Sequence, residues 1–393
     1  MVRRHEGRPP HAHRRLRPRR GALAPVGPQP LGHPRTATRP APQRRGHRTV
    51  TGPLLTPLPL RPGDRVAVVS PSWGGAGLFP RRFERALTAL RTATGLVPVV
   101  MPHARESLDW RSATAEDRAA DLTAAFTDPA IRGVICAIGG DHAAQVLPLL
   151  DLDALRADPK PLIGYSDITV LNHALYAAGL SSFYGPALLP QFGEYPAPDP
   201  YTVEHFRRVV MGDGAGPAGP VPASGDMVEE YLDWGAEETR PRERRPAPPR
   251  LLLRPGTGGG PLLAGCLPSA LQLLGTPWQP DYRGHVLVLD VPDGGYGVAD
   301  ADRDLTQLRN AGLLARLGGL AIGRLRLSSE EEDRRVHEVV LRAVRDYDYP
   351  VLANIECGHT DPMATLPLGA DCVLSGTRLL LRPPVTAPPA PGA

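Results

Sequence analysis

From Arg61 onward, short apolar runs alternate with segments of helical periodicity, and this alternation limits the folds that the chain can adopt. The predicted strands and helices follow one another at 65–70, 81–93, 134–138, 143–150, 161–165 and 168–178. Strands joined by crossover helices form a parallel sheet that is covered on both faces. Residues 57–188 are therefore predicted to form one α/β domain with a parallel sheet.

A second domain is predicted at 251–382, after a change in composition. Residues 189–250 are rich in proline and glycine and contain the charged run 240–245, which is typical of a linker with a mobile loop. Further strands and helices are predicted at 251–253, 269–274, 285–291, 301–315, 319–322, 330–346, 351–354 and 379–382. They indicate a second α/β or α+β domain.

The first 50 residues differ in composition from the rest of the chain. They contain thirteen arginines, nine prolines and one acidic residue. Because the whole chain has a net charge of +4, this stretch carries +12 and the remainder −8, so the basic pI does not describe the folded body. Such a stretch cannot bury enough apolar surface to offset its ordering entropy. We expect residues 1–56 to be a disordered tail or an over-extended translation start, and residues 383–393 to be disordered as well.

The charge and hydropathy patterns also bear on partners and location. The tail has no apolar run after its arginines, which argues against an export signal. The chain contains no run of about 18 apolar residues that could span a membrane. Because the excess positive charge lies in the tail, we expect no specific nucleic-acid partner. We expect a cytoplasmic protein that does not bind membranes.

Polar residues and glycines beyond the predicted strands are the candidate site residues, since ligands bind at the carboxyl ends of strands in open α/β sheets. Gly139-Gly140-Asp141 would let backbone N–H groups approach an anion, although an ordinary turn explains it equally well. His359 follows the strand at 351–354 and could act as a general base, while most isolated histidines have no such role. Asp290 could orient an imidazole or cap a turn.

Two further observations restrict the chemistry. Ser166 and Asp167 follow the strand at 161–165, and we interpret them as an N-cap of the next helix. The cysteines are widely spaced without a CxxC motif, and the histidines show no ligand spacing. We therefore expect no disulfide framework, no metal and no cofactor.

Several segments resemble the LD-carboxypeptidase family of serine peptidases, which includes the microcin C immunity proteins. They occur in the family's order over about residues 58–382, at 61–71, 137–141, 161–169, 183–186, 265–269, 308–323, 358–362 and 366–369. The segment 231–235, Tyr-Leu-Asp-Trp-Gly, is similar to the immunity branch. The resemblance implies a two-domain fold with the active site in the cleft between the domains, a Ser–Glu–His triad and a homodimer.

The resemblance also implies an activity, the hydrolysis of an amide bond in murein LD-peptides or between an aminoacyl group and a nucleotide. Carried over to this chain, His359 matches the catalytic histidine and Asp290 falls at the glutamate position. Ala143 falls at the serine position of a Gly-Gly-x-x-Ser pattern. The substrate-binding residues implied are Gly139, Gly140, Asp141 and Trp234.

Alanine has no nucleophilic atom, so Ala143 predicts a catalytically impaired member that still binds an LD-peptide or an aminoacyl-nucleotide. The alternative is an enzyme with displaced chemistry, in which His359 activates a water or Ser166 or His142 supplies the nucleophile. Ser166 is disfavoured because it lies at a different strand end from position 143. A nucleotide or sugar binder without peptidase ancestry is contradicted by the extent of the resemblance.

Overall fold

The structure is a computed structural model that describes residues 53–213, 218–292, 295–326 and 328–382. Most of the expected tail at 1–56 and all of 383–393 lie outside the described residues. Within 53–56, Leu55 forms a parallel bridge to Leu180, and its N–H donates to the Gly179 carbonyl at 2.9 Å. The expected C-terminal boundary of the tail, residue 56, is wrong, because the folded body already includes Leu55.

Helices and strands alternate along both halves of the described chain. The strands are β1 (Arg65–Val69), β2 (Val97–Val100), β3 (Gly133–Cys136), β4 (Leu162–Gly164), β5 (Phe183–Tyr184), β6 (Gly219–Pro220), β7 (Asp226–Met227), β8 (Arg245–Pro246), β9 (Leu251–Arg254), β10 (Thr257–Cys266), β11 (Val286–Asp290), β12 (Gly319–Gly323), β13 (Val351–Ile355), β14 (Leu366–Pro367), β15 (Asp371–Ser375) and β16 (Arg378–Leu381). The α-helices are α1 (Gly75–Leu78), α2 (Pro80–Thr94), α3 (Ala115–Thr127), α4 (Leu152–Ala157), α5 (Thr169–Ala177), α6 (Pro200–Phe206), α7 (Leu267–Leu271), α8 (Val298–Asn310) and α9 (Glu330–Ala343). Short 3₁₀ or π turns lie at Ala143–Leu149, Ser166–Ile168, Leu188–Phe192 and Arg207–Met211.

The first sheet has the strand order β14-β5-β4-β3-β1-β2. Strands β1 to β5 pair in parallel, and β14 joins the edge of β5 in the antiparallel sense. Successive side chains of β1 enter two different apolar clusters, Val66 and Val68 in one and Ala67 and Val69 in the other. Both faces of this sheet are therefore buried, as the sequence predicts for a parallel sheet.

The second sheet has the order β6-β16-β15-β10-β11-β12-β13-β9. Its central strands β10 to β13 are parallel, and antiparallel strands complete both edges. One apolar cluster contains residues of both sheets, including Val66 and Ile163 of the first and Leu263 and Leu287 of the second. The mixed α/β fold class is confirmed.

The segment 189–250, predicted as a linker and mobile loop, contains α6, β6, β7 and β8 in its described residues. Its side chains form ion pairs within the segment and with the C-terminal half. Arg244 pairs with Asp199 at 2.8 Å, and Arg242 pairs with Glu194 at 2.6 Å and with Asp361. This segment therefore contributes to the cavity described below. Within the described ranges, no helix is long and apolar enough to cross a membrane.

Candidate active site

Ser166 lies on a sharp turn between β4 and α5, with a φ of +60°. A residue with a side chain adopts this left-handed conformation at a cost, and such strain concentrates at functional sites. The turn directs the Ser166 Oγ towards His359, whose Nε2 is 3.1 Å away. Neither Ser166 nor Asp167 forms a side-chain cap of the following helix, so the N-cap interpretation is wrong.

His359 is held between Ser166 and Asp290. Its Nδ1 lies 3.0 Å from the Asp290 Oδ2 and 3.2 Å from the Oδ1. The carboxylate accepts the Nδ1 proton, which leaves Nε2 free to accept the proton of the Ser166 hydroxyl. Asp290 ends β11 and is fully buried, whereas the His359 side chain is 14% exposed. The order Ser166, His359 and Asp290 is that of a nucleophile, a base and an orienting acid.

Gly358 allows the histidine to approach the acid. Its φ is +110°, and a Cβ built on it would overlap the Asp290 carboxylate. A glycine is therefore needed at this point for both backbone conformation and space. The ring of Tyr165 contacts His359 edge-on, with the ring centroids 5.2 Å apart.

Tyr184 on β5 is a further contact of the triad. Its hydroxyl donates to the Asp290 Oδ2 at 2.6 Å and accepts the Ser166 backbone N–H at 3.1 Å. Burial, together with the negative charge of Asp290, raises the pKa of this hydroxyl well above its ordinary value. Tyr184 thus remains a neutral donor to the carboxylate at physiological pH.

Two cysteines lie near the same carboxylate. Burial and then the charge of Asp290 raise the pKa of Cys266 and of Cys357 well above the ordinary value. Because the thiolate is the reactive form of cysteine, neither residue competes with Ser166 as a nucleophile.

Asp167 joins the serine turn to the loop after β3. Its Oδ2 accepts the Ser72 hydroxyl at 2.6 Å and the Ala143 N–H at 2.7 Å, and the Gln272 amide donates to its Oδ1 at 3.2 Å. Ser72 in turn accepts the His142 N–H at 3.1 Å. Asp167 and Ser72 are both fully buried, so this network sets the position of the loop relative to Ser166.

The glycine pair packs closely against the serine turn. A Cβ on Gly139 would lie 2.8 Å from the Ser166 Cβ and 3.2 Å from the Asp167 backbone nitrogen. Gly140 has a φ of +143°, and a Cβ there would lie 2.9 Å from the Trp73 backbone nitrogen. The turn thus lies beside Ser166 for a reason of space that the sequence does not reveal, and its role in substrate binding stays a prediction.

A cavity of about 220 Å³ opens over Ser166 and His359. Aromatic residues line one part of it, and charged residues line another. The lining residues include Trp73, Trp234, Tyr231, Arg82, Arg242, Arg326, Glu230 and Asp361. A cavity with apolar walls and a few polar groups is the usual form of a small-molecule site.

Arg82 lines the cavity beside its aromatic part. Its guanidinium lies 4.3 Å from the centroid of the Trp234 ring and donates to the carbonyls of Leu189 and Pro190 at 2.8 and 3.0 Å. Burial lowers its pKa, and the charges of Glu238 and Glu194 oppose that effect. Trp234 is therefore held at the cavity by a cation–π contact.

The remaining predicted residues fall into two groups. Trp234, Gly139 and Gly140 line the cavity, whereas Asp141 is exposed and is not among its lining residues. Ala143 is also outside that set, and its methyl group is fully buried in the apolar cluster that contains Val69 and Val134.

The expected convergence of Ala143 with Asp290 and His359 is therefore corrected, because the side chain that meets His359 is Ser166. The argument that Ser166 lies at the wrong strand end is also wrong. The ends of β3 and β4 are adjacent in the parallel sheet, and the positive φ turns Ser166 towards His359. His142, the other alternative nucleophile, does not line the cavity either.

Sequence reasoning did not identify the roles of Tyr184, Asp167, Arg82 and Arg242. The signal for Ser166 was present in Gly164-Tyr165-Ser166, a serine between a strand and a helix. Among the described residues, no group of three or more His, Cys, Asp or Glu side chains is arranged to hold a metal ion.

Two family models match this chain. The LD-carboxypeptidase N-terminal domain matches residues 66–185 and the LD-carboxypeptidase C-terminal domain matches residues 259–374. Together they cover more than half of the sequence. The chain therefore belongs to the LD-carboxypeptidase family of serine peptidases, as the resemblance predicted.

Particular relatives extend this result. The microcin C7 self-immunity protein of Escherichia coli is 30% identical over 330 residues, which is 81% of this chain and 92% of that protein. The murein tetrapeptide carboxypeptidase of Pseudomonas aeruginosa is 28% identical over 282 residues, with 70% and 83% covered. The solved structure of the self-immunity protein in complex with glutamyl sulfamoyl guanosine has a TM-score of 0.78 and 27% identity, and covers 85% of this chain and 100% of that one. The two-domain fold is thus of the self-immunity type.

Proposed function

We propose that this protein is an active serine hydrolase that cleaves an amide bond, with Ser166 as nucleophile, His359 as general base and Asp290 as the orienting acid. The observation that carries the proposal is the Oγ to Nε2 distance of 3.1 Å, with Asp290 3.0 Å from Nδ1. This favours the alternative of a displaced nucleophile over the predicted impaired binder, whose only basis was Ala143.

The reaction follows from these contacts. His359 Nε2 takes the proton of the Ser166 hydroxyl while Oγ bonds to the carbonyl carbon of the substrate. The protonated imidazole, stabilised by Asp290, then gives that proton to the leaving nitrogen, and the C–N bond breaks to leave an acyl ester on Ser166. Water attacks the ester, its proton passes through Nε2 to Oγ, and the acid is released.

The backbone supplies candidates for an oxyanion hole. The N–H of the residue after the nucleophile, Asp167, is the usual first donor at such a turn, and Gly140 lines the same cavity as Ser166. The N–H groups of His142 and Ala143 already donate to Ser72 and Asp167. We therefore assign the oxyanion contacts to Gly140 and Asp167.

The substrate proposed is an aminoacyl-nucleotide in which the acyl group reaches Ser166. Trp234 and Trp73 line the cavity, and a nucleobase can stack on an indole face. The related self-immunity protein binds a glutamyl sulfamoyl nucleoside. The predicted role of Trp234 in substrate binding remains a proposal on this basis, as do the predicted homodimer and cytoplasmic location.

Purified protein assayed with an aminoacyl sulfamoyl adenosine, in which the acyl group is bonded to nitrogen, and with a murein LD-tetrapeptide tests the proposal. We expect hydrolysis of the nucleotide substrate, with loss of at least about 10³-fold in Ser166→Ala. Ala143→Ser is the matched control, because it adds a serine at the position that the sequence suggested, and it should leave the rate of a well-folded sample unchanged. Hydrolysis of the tetrapeptide alone would overturn the substrate class, and equal rates in wild type and Ser166→Ala would overturn the proposed nucleophile.

A further inference from the structure

Tyr184 connects the acid of the site to the backbone of the serine turn. The residue is fully buried on β5, and β5 pairs with β4 so that Tyr184 lies opposite Gly164. From there its hydroxyl reaches two groups, the Asp290 Oδ2 at 2.6 Å and the Ser166 N–H at 3.1 Å. It is not among the residues that line the cavity, so it acts on the substrate only through these two partners.

We propose that Tyr184 is a positioning residue for the hydrolysis, one that fixes Asp290 and the Ser166 turn relative to each other; this inference rests on the proposed function. The Ser166 amide belongs to a residue in the left-handed region, beyond the last ladder bond of β4. A buried N–H without a partner is costly, and the phenol supplies that partner. The serine turn is thereby held against the carboxylate that orients His359.

The same hydroxyl also sets the charge distribution around His359. Donation to the ionised form of Asp290 stabilises that form and withdraws part of its charge from the imidazole. The other titratable and charged groups around Asp290, His359 and Tyr165 are Cys266, Cys357, Asp361 and Arg326. Burial keeps the two thiols neutral, and the Tyr184 hydroxyl shares the Asp290 Oδ2 with the His359 Nδ1.

Loss of the hydroxyl leaves the Ser166 N–H without its acceptor and removes one donor from the Asp290 Oδ2, which keeps its contact with the His359 Nδ1 at 3.0 Å. A hydrogen bond to a charged group contributes about 1.5–3 kcal/mol, which corresponds to about 10–100-fold in rate if it is expressed at the transition state. Because both bonds fix the relative position of Asp290 and the Ser166 turn, the loss should appear in kcat and not in KM.

Tyr184→Phe tests this inference, since it removes one oxygen and keeps the ring. We expect kcat to fall about 10–100-fold with KM within about twofold. Tyr349→Phe is the matched control, because Tyr349 is also buried and donates to the Leu314 carbonyl at 2.8 Å away from the site. It should lose some thermal stability and leave both kcat and KM unchanged.

The outcomes separate this inference from the function on which it rests. A wild-type protein that hydrolyses neither substrate class, and does not react with a fluorophosphonate, contradicts the proposed function. An active wild type whose Tyr184→Phe variant keeps the same kcat, or loses kcat/KM only through a higher KM, contradicts the positioning role alone. Circular dichroism and the thermal midpoint of each variant establish that the compared samples are folded.

Discussion

Ser166 has an unfavourable backbone conformation, and its hydroxyl lies within hydrogen-bond distance of His359. The backbone conformation accounts for the position of the hydroxyl. A φ of +60° is unfavourable for serine, so the surrounding contacts must stabilise it. Those contacts are the Tyr184 hydroxyl on its N–H and the Thr169 hydroxyl on its carbonyl, at 3.1 and 2.6 Å. The positive φ, stabilised by these two contacts, therefore directs the Ser166 Oγ towards the His359 Nε2.

The acid position provides a first prediction. Asp290→Asn replaces the Nδ1 acceptor by an amide that can donate, so the wrong imidazole tautomer is favoured and Nε2 can no longer take the serine proton. We expect kcat to fall by about 10³–10⁴-fold with the fold intact, measured by steady-state kinetics on the aminoacyl-nucleotide substrate. Asp371→Asn, on an exposed strand residue, is the control. A loss below tenfold in Asp290→Asn would argue against its role.

Gly358 provides a second prediction. Gly358→Ala strains a φ of +110° and places a methyl group on the Asp290 carboxylate. Gly376→Ala is matched to it, because Gly376 has a φ of +55° and open space around it. We expect both variants to lose about 1 kcal/mol of unfolding free energy through strain and only Gly358→Ala to lose more than tenfold in kcat. Urea titration and kinetics measure the two effects, and equal kinetics would contradict the proposed steric reason.

At this scale, strand ends and a family pattern led the sequence analysis to His359, Asp290 and the glycine pair, whose catalytic and binding roles stay predictions. The sequence analysis did not favour Ser166, the nucleophile proposed above. Ala143 and Ser166 follow adjacent strands, and only the backbone torsion at Ser166 and the burial of Ala143 separate them. Neither property can be read from residue types, and a serine followed by aspartate before a helix also fits an N-cap.

At the scale of elements, the site depends on the junction of two strand ends. The loop after β3 and the turn after β4 are connected by Asp167, which binds Ser72 and the Ala143 N–H. This network explains why a buried, charged residue is present between the two turns. It also gives Ala143 a structural role, in which a small side chain fits the apolar cluster while the backbone contacts the carboxylate.

Ser72→Ala tests this junction. It removes the hydroxyl that donates to Asp167 and accepts the His142 N–H, so we expect a loss of about 1–3 kcal/mol in unfolding free energy and a several-fold lower kcat. Ser181→Ala is the comparison, since the buried Ser181 hydroxyl donates to the Leu368 carbonyl at 2.6 Å outside the site. It should lose similar stability at full activity. If Ser72→Ala keeps full activity, the loop does not need this anchor.

The elements themselves were predicted where apolar runs are long. Strands β1, β3 and β11 and helix α2 agree with the sequence pattern to within about two residues. Strand β10 was missed because its first half reads Thr-Gly-Gly-Gly, a composition typical of a loop. Strand β5 has two residues, which is too short for any periodicity to indicate.

At the scale of the whole molecule, buried histidines couple stability to pH. Burial lowers the pKa of His173 to about 4 and that of His205 to about 3, against 6.5 ordinarily. Below pH 6.5 the unfolded chain binds protons that the native state excludes, so the free energy of unfolding decreases as the pH falls from 6.5 towards 4. The contribution of these groups is complete above pH 6.5.

This gives a prediction for the intact chain. His173→Gln keeps a donor for the Ala264 carbonyl, which His173 Nε2 contacts at 3.0 Å, and removes one titrating group. We expect its unfolding free energy to fall less steeply between pH 6.5 and 4 than that of the wild type, by up to about 1.4 kcal/mol per pH unit. Urea titrations at several pH values measure both slopes. Parallel slopes would contradict the assignment of His173 as a buried neutral imidazole.

The most direct test of the account identifies the nucleophile chemically. The intact protein is treated with a fluorophosphonate, which forms a stable ester with an activated serine, and the labelled residue is located by mass spectrometry of its peptides. The account predicts a single adduct on Ser166, lost in Ser166→Ala and in His359→Ala and retained in Ala143→Ser. Labelling at another residue, or no labelling of a protein that still hydrolyses its substrate, would contradict the central claim that Ser166, His359 and Asp290 form a working triad.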